Sequence, residues 1–159
     1  MKQTIYIETT IPSYYHNSRT DAELRVLSQW TRDWWEQERH AYELVTSLAV
    51  LEELRNGDHP LKEEKLSLIR PLKQLEVTPE IVETVDAYIT HKLMPNDPHG
   101  DALHLALASH YKCDILLSWN CKHIVNYRKT GHLGSLNRSL NLPVPALLTP
   151  LDLLNTPSR

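Results

Sequence analysis

The 159-residue chain holds only two cysteines, Cys113 and Cys121. Neither a disulfide framework nor a four-cysteine zinc site can be built from them. A reducing compartment, the cytoplasm, is expected. No apolar stretch approaches the roughly 20 residues that span a bilayer, so no membrane partner is expected. The opening residues MKQTIYIETT lack the apolar core of a secretory leader, because Glu8 interrupts the run. Internal repeats and low-complexity segments are also missing. The net charge of −3 excludes a polycation that grips nucleic acid by bulk electrostatics. One absence is local: from Ile115 to Leu151 there is no Asp or Glu. Lys122, Arg128, Lys129 and Arg138 fall inside that stretch, with His123 and His132.

What remains is a chain 41% hydrophobic and 23% charged, the size of one ordinary domain with a core of its own. Short runs rich in Ile, Leu and Val predict strands at 4–8 (TIYIE), 42–47 (YELVTS), 74–78 (QLEVT) and 114–118 (DILLS), with a weaker fifth at 144–149 (VPALLT). Near-continuous apolar runs of this length suit strands covered on both faces of a parallel sheet.

Helical periodicity fills the intervals. Residues 21–38 place Leu24, Leu27, Trp30, Thr31 and Trp34 on one stripe, and residues 48–57 end at Gly57, a C-cap residue. Further helices are expected in 62–72, 79–93 and 97–112, the last with Asp97 as N-cap and Pro98 at its first position. The tryptophans Trp30, Trp34, Trp35 and Trp119 read as packing. GHLGSLNR, at 131–138, follows no strand and opens no clear helix, so it is not a nucleotide loop. Strands alternating with helices imply right-handed βαβ units in a three-layer α/β/α sandwich with a mainly parallel sheet of four to five strands.

In such sheets ligands bind beyond the carboxyl ends of the strands. Glu8 ends the first strand there. Glu52 and Glu53 follow the second strand, and only one can face the sheet edge, because neighbours on a helix diverge by about 100°. Apolar pattern alone leaves the choice open, with a slight lean to Glu53. Asp101 sits among apolar residues in DALHLALA, which carry it inward. Ser118 and Asn120 extend from the fourth strand, and His123 follows one turn on. Three carboxylates about 5 Å apart repel by roughly 3 kcal/mol per pair at an effective dielectric near 20. Such a cluster needs a cation or protonation. Oxygen ligands without cysteine select hard ions, Mg²⁺ or Mn²⁺.

At these residues the chain resembles a PIN domain, specifically the VapC-like ribonuclease branch found as toxins of toxin–antitoxin pairs. The resemblance rests on YIETT, on Ser47 with EEL ending at Leu54, on DALHLALA from Asp101, and on Ser118-Trp119-Asn120, in that order. It covers the chain from the first strand to about Leu154, which implies a single PIN-like domain over 1–154 and a short tail over 155–159. Its register favours Glu53 over Glu52. Two positions depart from the family pattern, where Asp is usual at Glu8 and frequent at Asn120. The resemblance implies metal-assisted hydrolysis of RNA, with Glu8, Glu53, Asp101 and Asn120 catalytic and Glu8, Asp101 and Glu53 holding Mg²⁺ or Mn²⁺. Ser118, Lys122, His123 and Arg128 would contact substrate. An antitoxin and a second copy in a homodimer are the implied protein partners. The rival reading, favoured by the two departures, is a catalytically weakened PIN-like module that binds RNA or protein without cutting. A histidine zinc site lacks a His-x₃-His pair. His104 is expected to pack within its helix or to orient Asp101, three residues before it.

Overall fold

The computed structural model describes residues 1–97 and 99–156. Among these, five strands form one parallel sheet: β1 Thr4–Ile7, β2 Glu43–Ser47, β3 Lys73–Leu75, β4 Ile115–Leu117 and β5 Ala146–Leu148. Their order is β3-β2-β1-β4-β5, so β1 is central. Register sets Tyr6 beside Val45 on one side and Leu116 on the other. The reason is compositional: Ile5, Tyr6, Ile7, Leu116 and Leu117 are fully buried, as a two-sided sheet requires.

Eight α-helices cover the sheet among the described residues: α1 Thr10–Tyr15, α2 Ala22–Glu38, α3 Leu48–Arg55, α4 Lys62–Ile69, α5 Pro79–Thr90, α6 Asp101–His110, α7 Thr130–Ser139 and α8 Pro150–Leu154. Helix α2 packs on α1 and α8, α5 packs on α6, and α3 packs on α4, which completes the α/β/α layering. Trp34 and Trp35 lie in the core and stack edge to face, with ring centroids 6.2 Å apart. Gly57 sits just past α3 at φ 78°, the left-handed geometry for which glycine is suited.

Two expectations need correction, and two helices were not anticipated. The segment after Glu8 is the short helix α1. GHLGSLNR lies inside α7, where Leu133, Leu136 and Asn137 bury one face despite two glycines. Thr149 opens α8 through a capping box with Asp152, a signal passed over in the sequence. The helix expected from residue 97 starts at Asp101 with Gly100 as N-cap. Asp97 instead closes the preceding turn, accepting from His99 N at 3.1 Å, while its carbonyl accepts from Gly100 N at 3.2 Å. Pro98, expected at the first helical position, lies outside the described residues. A Cβ on Gly100 would meet Asp97 Oδ2 at 2.6 Å, so the turn that launches α6 is closed tightly on a glycine.

The chain leaves β1 in one direction for β2 and later returns on its other side as β4. The carboxyl end of β1 is therefore the switch point of the sheet, where crossovers diverge and leave a crevice.

Candidate active site

Glu8 follows β1 into that crevice and is only 3% exposed. Its Oε1 accepts from Thr10 N at 2.9 Å and from Thr10 Oγ1 at 2.5 Å. Thr10 Oγ1 in turn accepts from Trp119 N at 2.8 Å. One threonine therefore ties the acid after β1 to the loop after β4. Burial raises the pKa of Glu8, although His104, Thr10 and Ser118 oppose the shift.

Asp101 stands in the first turn of α6, half-buried. Its Oδ2 accepts from Asn120 Nδ2 at 2.9 Å. The amide cannot be turned round: Asn120 Oδ1 accepts from His123 N at 3.1 Å and Lys122 N at 3.3 Å. Asn120 N donates to Ser118 Oγ at 2.9 Å. Burial raises the pKa of Asp101 as well; the charges of His104 and His123 and the Asn120 bond pull it down, and Glu53 pushes it up. Ser118 is wholly buried; its Oγ accepts from Asn120 N while its own proton serves Glu8, which makes it a positioning group in this arrangement.

Glu53 and Glu52 part company on α3. Glu52 is exposed, whereas Glu53 Oε1 lies 2.5 Å from His104 Nε2. His104 is 1% exposed, and its Nδ1 pairs with Tyr6 Oη at 2.7 Å. Tyr6 Oη also pairs with Ser47 Oγ at 2.7 Å. Side chains from β1, β2, α3 and α6 thus form one buried polar chain. Burial alone would lower the pKa of His104, but the Glu53 bond and the charges of Glu53, Glu8 and Asp101 outweigh it and hold the value above 6.5. Burial pushes the Tyr6 phenol well above 10. His104 therefore orients Glu53 rather than Asp101, and it is the group whose charge all three acids feel. Its spacing from Asp101 was legible; its partners across the sheet were not.

Lys122 and Arg128 are exposed, and His123 is half-buried near Asp101. Lys129 was missed: its Nζ lies 3.4 Å from His123 Nδ1 and its charge acts on Asp101. An apolar groove of about 280 Å³ is lined by Leu48, Val77, Val82 and Leu103, together with Glu52 and Asp86.

The donors Glu8, Glu53 and Asp101 are hard oxygens, and the raised pKa values of Glu8 and Asp101 mark carboxylates short of counter-charge. That chemistry fits Mg²⁺ or Mn²⁺. In the present rotamers no group of three His, Cys, Asp or Glu side chains among the described residues is spaced to hold an ion. Glu53 is bonded to His104 and Asp101 to Asn120.

A parallel sheet with buried and half-buried acids at its switch point defines an α/β protein with a carboxylate-lined crevice. Residues 5–120 match the PIN domain, and the chain belongs to that family. No curated protein and no solved structure matches the chain. PIN domains are generally nucleases that use divalent metals and bind RNA, so membership points to a nuclease-type function. Among the described residues no helix is long and apolar enough to cross a membrane.

Proposed function

We propose that the chain is a Mg²⁺- or Mn²⁺-dependent endoribonuclease of the VapC-like branch, acting in the cytoplasm as the toxin of a type II toxin–antitoxin pair. The reading is supported by buried His104, whose Nε2 lies 2.5 Å from Glu53 Oε1 and whose charge also bears on Glu8 and Asp101, acids from three separate parts of the chain. A dication bound there supplies Lewis-acid polarisation of the scissile phosphate and a water of lowered pKa. Glu8 and Asp101 hold the metal, with Glu53 as third ligand. Asn120 and Ser118 fix the loop that orients Asp101. Lys122, His123 and Arg128 receive the phosphate backbone, and Lys129 joins them on the same flank. The folded unit is the single domain over 1–154, working as a homodimer.

The test is cleavage of RNA by the purified chain. Mn²⁺-dependent endonucleolytic products, lost with EDTA and lost in Asp101→Asn, support the reading. Cleavage that survives EDTA, or full activity in Asp101→Asn, overturns it. The toxin role is tested separately, by whether a short adjacent reading frame encodes a protein that co-purifies with this chain and stops its activity.

The Asn120–Asp101 bond favours a second reading, because it steadies Asp101 without any cation. A PIN-like module that binds RNA or protein without cutting would keep RNA affinity and give no products at any metal concentration.

A further inference from the structure

Tyr127 is 93% exposed, the most exposed aromatic ring among the described residues. The other aromatics near the acids are occupied. Trp119 stacks on Trp30 with centroids 6.2 Å apart and donates Nε1 to Thr31 Oγ1 at 2.8 Å. Tyr127 has no such partner ring among the described residues, yet its backbone is held firmly. It opens a 3₁₀ turn, Tyr127–Lys129, capped by Asn126 Oδ1, which accepts from Arg128 N at 3.0 Å. Asn126 Nδ2 donates to Lys122 O at 2.8 Å. Lys122 N and His123 N donate to Asn120, which is bonded to Asp101. Ile124, fully buried, pins the middle of this loop to the core. Two asparagines thus bracket a rigid ridge that runs from the acids to the ring.

Cations flank the tyrosine along the chain: Arg128 and Lys129 follow it, Lys122 precedes it, and no acid lies between Ile115 and Leu151. An exposed ring alone is ordinary surface. An exposed ring on a fixed turn, among cations and beside a nuclease-type site, matches the pairing of stacking face and backbone-tracking charge by which proteins hold unpaired strands. A base in a duplex cannot present its face, whereas an unpaired base can stack on an exposed ring.

We propose that Tyr127 is a stacking platform for an unpaired base of the RNA substrate, with Lys122, Arg128 and Lys129 holding the backbone beside that base. The inference rests on the ribonuclease reading and deepens it. The substitution sites are exposed, so the fold is expected to survive; equal melting temperatures check this.

The experiment is fluorescence anisotropy of labelled single-stranded oligouridine, and of its duplex with oligoadenine, in EDTA so that neither is cut. The expected result is preference of the full chain for the single strand and about ten-fold weaker binding of it by Tyr127→Ala, with Tyr127→Phe near wild type. Arg128→Ala should flatten the salt dependence, whereas Tyr127→Ala should leave its slope unchanged. Equal single-strand affinity in Tyr127→Ala and wild type overturns the inference, as does an equal loss on duplex. In either case, persisting Mn²⁺-dependent cleavage leaves the nuclease reading standing. A wild-type chain that neither binds nor cuts RNA overturns both, and leaves the ring to a protein partner.

Discussion

Asn120 Nδ2 donates to Asp101 Oδ2 at 2.9 Å, with the amide fixed in that sense because its oxygen is taken by the N–H groups of Lys122 and His123. Asn120→Asp keeps the loop-capping oxygen and replaces the donor with a second carboxylate facing Asp101. Without metal, the repulsion is expected to destabilise the fold by about 1–3 kcal/mol, less than an enclosed pair would cost because Asp101 is partly exposed. The added charge should also tighten Mn²⁺ binding, read by calorimetric titration. Unchanged stability and unchanged Mn²⁺ affinity would mean that the two side chains do not meet in solution.

The buried chain Ser47–Tyr6–His104–Glu53 gives a pH dependence with a definite sign. Glu8, Asp101 and His104 have raised pKa values, against ordinary values of 4.5, 3.8 and 6.5. Each binds its proton more tightly folded than unfolded, so its contribution is complete below the ordinary value and fades as pH rises through the folded one. Metal-free protein should therefore lose stability from these groups as pH climbs from about 4 to beyond 6.5. Glu53→Gln isolates the His104 part, because His16 and His110, whose values burial lowers, are untouched. Urea unfolding in EDTA should show wild type falling more steeply than Glu53→Gln above pH 6.5. Parallel curves would remove the charged Glu53–His104 pair.

Tyr88 makes a comparable prediction away from the site. Its hydroxyl donates to Asn137 Oδ1 at 2.6 Å and lies 3.3 Å from Ser109 Oγ, joining α5, α6 and α7. Burial pushes the phenol up to about 12, so the folded state resists its ionisation and stability is lost between pH 10 and 12. Tyr88→Phe leaves Asn137 Oδ1 without its donor and should cost about 1–2 kcal/mol at neutral pH. It should also remove the Tyr88 share of the alkaline loss, visible as a shallower decline in unfolding free energy above pH 10. Equal neutral stability would contradict the bridge.

Much of this architecture could be read from periodicity. The strands at Thr4–Ile7 and Ile115–Leu117 are apolar on both faces, and that composition alone implies a covered parallel sheet. Helix boundaries were less legible where side chains settle them: Asp97 looks like an N-cap in sequence, but the turn closed by Gly100 moves the start to Asp101. Helix α7 was hidden because its glycines lower local propensity while burial of Leu133 and Leu136 supplies the stability. At the site, the acids carry a signal because charge in an apolar run is costly. Thr10 and Tyr6 carry none, since their role depends on partners as far apart as Thr10 and Trp119. Lys129 was overlooked in favour of Arg128 because the 3₁₀ turn that lets its Nζ reach His123 leaves no signal in the sequence.

The most direct measurement is the melting temperature of wild type and Asp101→Asn across a Mn²⁺ titration begun from EDTA-treated protein. If the acids at the end of the sheet exist to hold a dication, wild type gains about 2.7 kcal/mol at a hundred times its dissociation constant, seen as a rise of several degrees. Asp101→Asn should stay flat over the same range. A flat wild-type curve, or the same rise in both proteins, would contradict the account.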